Sequence, residues 1–251
     1  MKLLVDRTLI GYAKPAVYSG FACAEHNTNK MSTFDIFDSF NPDVYIADAD
    51  LLNNTVYKNI EERPAMRVCV LGSKDHPKRQ EFKDRFGDLY LWQEKEVYGD
   101  VFDYMNSEFV PQYSNDIISI SDDKVINGVE NLVFPKSVRF KIFSPTVVNS
   151  IYYSGFVPGA IKKHFYKSAK ITITEPENVY NVALAGGYPL VVFNAEYLLQ
   201  ELEINHAKQI AISRQDILNS GTNFDAVSKI LKSLGLDRES SLIMSKKEGL
   251  I

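Results

Sequence analysis

The phrase TEPEN, Thr174 to Asn178, separates a β-branched run from a stretch of small residues that ends in a glycine pair. Thr174 with Glu177 three residues on has the spacing of a capping box. Glu175 followed by Pro176 has instead the spacing of a cap with proline at the first helical position. Either way a helix begins there, and its free N–H groups and positive dipole end favour a phosphate beyond the strand KITIT. The plain alternative is an ordinary strand–helix–strand unit with a good cap. Asp48 and Asp50 close the run DVYIADAD, where alternation puts both on one side at a strand end. A carboxylate so placed can accept a proton, or it can cap the helix that follows, and Asp50 suits the cap better. His26, in CAEHNTN, is the other candidate base. His76, His164 and His206 fall on polar segments and read as solvated residues.

The elements that must position these residues alternate along the chain. Strands are expected at KLLVD, DVYIADAD, MRVCVLGS and DLYLWQ, with helices at LLNNTVYKNIEE and HPKRQEFKDRF. From about Tyr98 to Lys136 the periodicity fades into turn residues and acidic clusters, which places a domain junction there. Alternation then restarts, with strands at VRFKIF, IYYSGFV, KITIT, PLVVF and AKQIAIS. Helices fall at AIKKHFYKSA, ENVYNVALAG, AEYLLQEL and NFDAVSKILKSLG. This is the pattern of parallel sheets covered by helices. The chain reads as an α/β protein of two Rossmann-like domains, residues 1–120 and 121–251, facing across a cleft, with the C-terminal tail returning to the first domain.

At 251 residues, with 45% hydrophobic and 24% charged residues, the chain has the composition of a globular protein. A formal charge of −4 argues against nonspecific coating of nucleic acid. Cys23 and Cys69 have no paired spacing, which excludes a zinc ribbon or a disulfide framework and fits two buried thiols in a reducing compartment. The N-terminal apolar run is too short for a signal peptide and no segment approaches a membrane span. A soluble cytoplasmic protein with no membrane partner is expected.

The run from Ser154 to Asn194, SGFVPGAIKKHFYKSAKITITEPENVYNVALAGGYPLVVFN, resembles the second domain of GT-B glycosyltransferases, particularly the spore-maturation-type and group 1 relatives. Their order of a glycine-containing strand end, a helix closing on y-x-s-A, a strand, a donor-binding helix and G-x-P-v-v is kept over roughly the C-terminal hundred residues. FNPDVYIADA is similar to the f-x-P-D-v strand of their first domain. One position departs: Val182 stands where many relatives carry a Glu that contacts the ribose.

The resemblance implies a nucleotide-sugar donor held by the second domain. Gly155, Phe156 and Val157 would hold the base, and Glu175, Glu177, Asn178 or Asn181 would supply the ribose contact that Val182 cannot. At least one of Arg139, Lys141, Ser144 and Thr146, on or just after VRFKIF, should meet phosphate. The plain alternative for the two cations is a solvated strand face. Ser19 and Gly20 follow the first strand, where a loop can meet sugar or phosphate. Asp48 or His26 would serve as the base for an acceptor hydroxyl. Helix N–H groups and cations can stabilise a departing nucleoside diphosphate, so no metal or other cofactor is required.

The size and the abundance of Asn, Asp, Ser, Tyr and Lys look like those of early proteins of large T-even-type bacteriophages. That likeness implies 5-hydroxymethylcytosine in double-stranded DNA as acceptor, in a host cytoplasm. Lys78 and Arg79, in the densest basic stretch, would then contact DNA; the plainer reading of that stretch is a solvated helix face. Rival readings are transfer to a glycan or small molecule, a non-catalytic binding module of the same fold, and a two-domain sugar epimerase.

Overall fold

The computed structural model describes residues 1–27, 33–87, 90–122 and 125–250, and residues 33–35 by their backbone alone. The chain forms two compact units. Unit 1 comprises Met1–Glu96 and Asn223–Ile251, and unit 2 comprises Val97–Thr222. The expected boundary at 120/121 falls inside unit 2.

Unit 1 is built on β1 (Lys2–Asp6), β2 (Ala22–His26), β3 (Val44–Asp48), β4 (Arg67–Leu71) and β5 (Leu91–Gln93). They form one parallel sheet in the order β2-β1-β3-β4-β5. VYIAD is buried at all five positions, as a strand covered on both faces must be. The crossovers are α1 (Ala13–Tyr18), α2 (Thr33–Phe40), α3 (Asn54–Glu61) and α4 (Lys78–Phe86). Asn53 starts α3, its Oδ1 accepting from the N–H groups of Thr55 and Val56 at 3.0 Å. Leu4, Tyr45, Val68 and Val70 pack with Val56, Ile60 and Phe82 in the main core.

Unit 2 contains α5 (Val101–Tyr104), β6 (Asn115–Ile120), β7 (Phe140–Phe143), α6 (Gly159–Ser168), β8 (Ala169–Ile173), α7 (Val179–Leu184), β9 (Pro189–Leu190), α8 (Ala195–Leu202) and α9 (Ala207–Ser220). Its sheet is also parallel, in the order β7-β6-β8-β9. Strand alternation separates two cores. Ile117, Ile171 and Ile173 join Leu198 on one face, and Ile118 and Ile120 join Tyr166 and Val182 on the other.

Several elements differ from their sequence signals. ACAEH, not foreseen as a strand, is the edge strand β2. NDIISI lies in the segment whose periodicity fades, yet it is a central strand, because six residues with five buried suffice when strands pair on both sides. IYYSGFV forms turns with a single bridge between Tyr153 and Ile142, and PLVVF pairs only through Pro189 and Leu190. AKQIAIS is the start of the fourteen-residue α9. Ile210 and Ile217, seven apart, share a helical face, and Asn205 Oδ1 accepts from Ala207 N at 3.0 Å to start it. Asp88 and Leu89, part of the strand expected at DLYLWQ, lie outside the described residues.

The C-terminal segment belongs to unit 1 as two helices, α10 (Asn223–Ser233) and α11 (Asp237–Leu250). The α10 helix packs on α1, with Phe224 edge-on to Tyr18 at 6.1 Å. Lys247 Nζ reaches both carboxylate oxygens of Asp225 at 2.7 and 2.8 Å and joins the two helices.

Candidate functional site

In a parallel α/β sheet, ligands collect at the carboxyl ends of two neighbouring strands whose loops leave in opposite directions. In unit 2 those strands are β6 and β8, since β6 leads to β7 on one side and β8 to β9 on the other. Ser121 and Asp122 follow β6, and Thr174 and Glu175 follow β8. Lys162, from α6, comes to the same place. It is only 2% exposed, and its Nζ is ion-paired with Asp122. Burial lowers the pKa of this ammonium, and the negative charge of Glu175 opposes that shift. The hydroxyls of Ser121 and Thr174 are buried and have no hydrogen-bond partner among the described residues. A buried cation beside unpaired hydroxyls at a strand-end crevice is an arrangement suited to an anion.

TEPEN forms the helix start with Glu175 at the cap and Pro176 at the first position, so the capping box from Thr174 is not made. Thr174 instead extends the pairing with β9 through its N–H to Leu190 O at 3.0 Å. Glu177 is exposed and Asn178 half-buried within a short 3₁₀ turn that leads into α7. Asn181 points elsewhere. Its Oδ1 accepts from Asp100 N at 2.9 Å and ties α7 to the segment before α5, which makes it a structural link. Val182 is fully buried in the core, so the position offers no polar contact.

Ser144 N donates to Gly155 O at 2.9 Å, which brings the ends of β7 and of the loop before α6 together. Gly155 has φ +96°, a conformation that favours glycine. Phe156 is largely exposed, whereas Val157 is a core residue. Ser144 is buried, its Oγ accepting from Thr146 N at 3.1 Å, and Thr146 is exposed. Arg139 does not reach this edge. It precedes β7 at the amino end of the sheet, where its N–H donates to Asp116 Oδ2 at 2.9 Å and its Nε lies 3.6 Å from the same carboxylate. Lys141 is exposed on the edge strand β7.

The corresponding crevice of unit 1 lies between β1 and β3. There Asp6, which the sequence did not mark, is fully buried and gathers three donors. His26 Nδ1 lies at 2.6 Å, Tyr45 Oη at 2.7 Å and Asp48 N at 2.7 Å. Burial, and then the charge of Asp6, raise the Tyr45 pKa well above its ordinary value, so this phenol stays a donor. Asp48 carries the next layer. Its Oδ2 accepts from Thr8 Oγ1 at 2.6 Å and lies 3.6 Å from Lys95 Nζ, and its Oδ1 accepts from Asp50 N at 3.1 Å. Asp48 therefore caps the 3₁₀ turn Ala49–Leu51, Asn53 caps α3, and Asp50 caps neither. Asp50 is exposed and pairs with His76 Nε2 at 3.2 Å.

His26 is completely buried between Phe37 and Tyr45, so no acceptor reaches it; it is a core histidine held by Asp6. Ser19 and Gly20 close α1, with Gly20 at φ +84°, and lead into the amino end of β2. They stand at the opposite edge of the sheet from a strand-end ligand. Lys78 spends its ammonium on the carbonyls of Asp50 and Leu52, each at 2.8 Å, and Arg79 donates to Lys74 O at 2.9 Å. Asp6 and Lys162 were the residues that sequence reasoning missed. For Asp6 the available signal was its place at the end of the first strand.

No protein-family model matches the chain, and no curated protein matches it. Solved structures do. A Listeria monocytogenes protein assigned as a UDP-N-acetylglucosamine 2-epimerase superposes with a TM-score of 0.55 at 11% identity, covering 92% of this chain and 94% of that one. A glycosyltransferase from Rickettsia africae gives 0.53 at 13% identity, covering 93% and 97%. The fold is GT-B-like. A third GT-B-like match, the S. aureus MnaA–UDP co-structure, gives 0.51 at 9% identity, covering 94% and 97%. Among the described residues no group of three or more His, Cys, Asp or Glu side chains is placed to hold a metal, and no helix is long and apolar enough to cross a membrane.

Proposed function

We propose that the chain binds a nucleotide sugar through unit 2 and transfers the sugar to an acceptor hydroxyl. The observation that carries this reading is Lys162, a buried ammonium at the β6/β8 strand ends beside the unpaired hydroxyls of Ser121 and Thr174. A nucleoside diphosphate departs with negative charge, and a fixed, desolvated cation stabilises that charge better than a solvated one. The GT-B-like fold, shared with a protein solved with UDP, supports the choice of ligand. In this reading Glu175 and Asn178 serve the ribose, and the backbone at Gly155 to Val157 serves the base. Asp48 takes the acceptor's proton, and no metal is required. The finer acceptor, 5-hydroxymethylcytosine in DNA, rests on likeness of composition and size alone.

Thermal shift against uridine, guanosine and thymidine diphosphate sugars tests the donor. Lys162→Met, which keeps length and replaces a buried ion by an apolar chain, should weaken binding of the best donor at least about twenty-fold while the protein stays folded. Unchanged affinity removes the site. Labelled-sugar transfer to hydroxymethylated DNA, unmodified DNA and a glycan then tests the acceptor. The fold likeness to a 2-epimerase supports a second reading. Conversion of UDP-N-acetylglucosamine to its C2 epimer with no acceptor present would decide for it.

A further inference from the structure

Lys162 is not alone in its crevice. Asp122, two residues past the end of β6, pairs with its ammonium, and Glu175 acts on the same cation from the end of β8. One carboxylate thus pairs with the buried cation, and the charge of a second reaches it. A diphosphate entering this space meets the Asp122 carboxylate already on the cation, and at short range a like-charge contact opposes binding. The two carboxylates differ in freedom. The Asp122 side chain is 57% exposed and can turn into water, whereas Glu175 is half-buried at a helix start.

We propose that Asp122 is a place-holder: in the empty protein it occupies the position on Lys162 that a ligand phosphate takes, and the ligand must displace it to bind. This deepens the nucleotide-sugar reading and rests on it. The exchange is a competition between two anions for one cation, and it raises the threshold for any phosphate ligand. It favours ligands with enough charge to outcompete a single carboxylate, a diphosphate over a monophosphate. It also keeps a buried ammonium paired whether or not the site is filled, which avoids the penalty of an uncompensated charge.

The test is calorimetric titration of UDP and of inorganic pyrophosphate into the wild type, Asp122→Asn, Lys162→Met and the double variant. Asn keeps the shape and sits at an exposed position, and a melting curve verifies that each variant is folded. Asp122→Asn should bind both probes roughly five- to ten-fold more tightly, the opposite of what loss of a supporting residue does. The gain should vanish in the Lys162→Met background, because the competition acts through that cation. Equal or weaker binding by Asp122→Asn overturns the proposal, as does a gain that survives without Lys162. If neither probe binds the wild type or Asp122→Asn, the nucleotide reading itself fails, and the place-holder fails with it.

Discussion

A carboxylate with no access to water is costly unless donors surround it, and Asp6 is held by a histidine, a tyrosine and a backbone N–H. Asp6→Ala removes the acceptor these donors share, leaving the Asp48 N–H unpaired and Tyr45 Oη and His26 Nδ1 only each other at 3.1 Å, and about 3 kcal/mol or more of stability should be lost. Chemical denaturation of the variant measures this. Asp48 hangs from the same carboxylate through its N–H, so its position depends on Asp6, while its own side chain lies nearer the surface beside Lys95. If Asp48 takes the acceptor's proton, Asp48→Asn should reduce transfer by at least about a hundred-fold and leave donor affinity within about two-fold. Steady-state kinetics beside a binding titration separates the two. Comparable loss of both would make Asp48 a structural residue only.

Elements of unit 2 are joined at the amino edge of the sheet by Asp116 on β6. It accepts from Arg139 N, before β7, and lies 3.0 Å from Lys170 Nζ on β8. Burial acts to raise its pKa, but the Arg139 N–H and the Lys170 and Arg139 charges outweigh burial and leave it lowered. A carboxylate with a depressed folded-state pKa contributes stability above its unfolded value of about 3.9 and loses it as pH falls through the folded value. Asp116→Asn should therefore cost about 1–2 kcal/mol at pH 7, and the gap to wild type should close below about pH 4. Melting curves over that pH range check the sign. Where α7 ends against α6, Gly187 leaves no room, since a Cβ would lie 2.6 Å from Tyr166 O. Gly187→Ala should lower stability by about 2–3 kcal/mol through overpacking, read from the same melting experiment.

At the scale of the whole molecule, the C-terminal helices complete unit 1 and are not an appendage. Lys229 pairs with Glu96, Arg67 donates to Leu234 O, and Asn223 Nδ2 donates to Gly11 O at 3.4 Å. Phe224, Val227 and Leu231 are buried along α10. Ending the chain at Thr222 should expose α1 and raise hydrogen exchange across 1–27 and 33–87 by orders of magnitude, with β6 and β8 retaining protection. Equal protection of unit 1 in the full and shortened chains would show that it closes without these helices.

The parallel α/β class, most of the strands and crossover helices, and the helix start at TEPEN are legible in the amino-acid sequence alone. These follow from local periodicity and capping chemistry, which act within a few residues. The sequence also marked Asp48, at a strand end that pattern alone locates. Tertiary structure decided what depends on neighbours far along the chain. NDIISI became a central strand because β7 and β8 flank it, and AKQIAIS became the start of a helix in which Ile210 shares a face with Ile217, beyond the segment itself. His26 was taken into the core by Asp6 and Tyr45, Arg139 was anchored at the amino edge by Asp116, and Lys78 was spent on backbone carbonyls. Lys162 shares the buried face of α6 with Phe165 and Tyr166, three and four residues on, but its charge disguises that position in the sequence. Its environment is made by Asp122, forty residues earlier, and by Glu175, on the next strand's end. Burial and charge pairing are sums over the whole fold, so the ion pair of Lys162 could not be read from its local sequence.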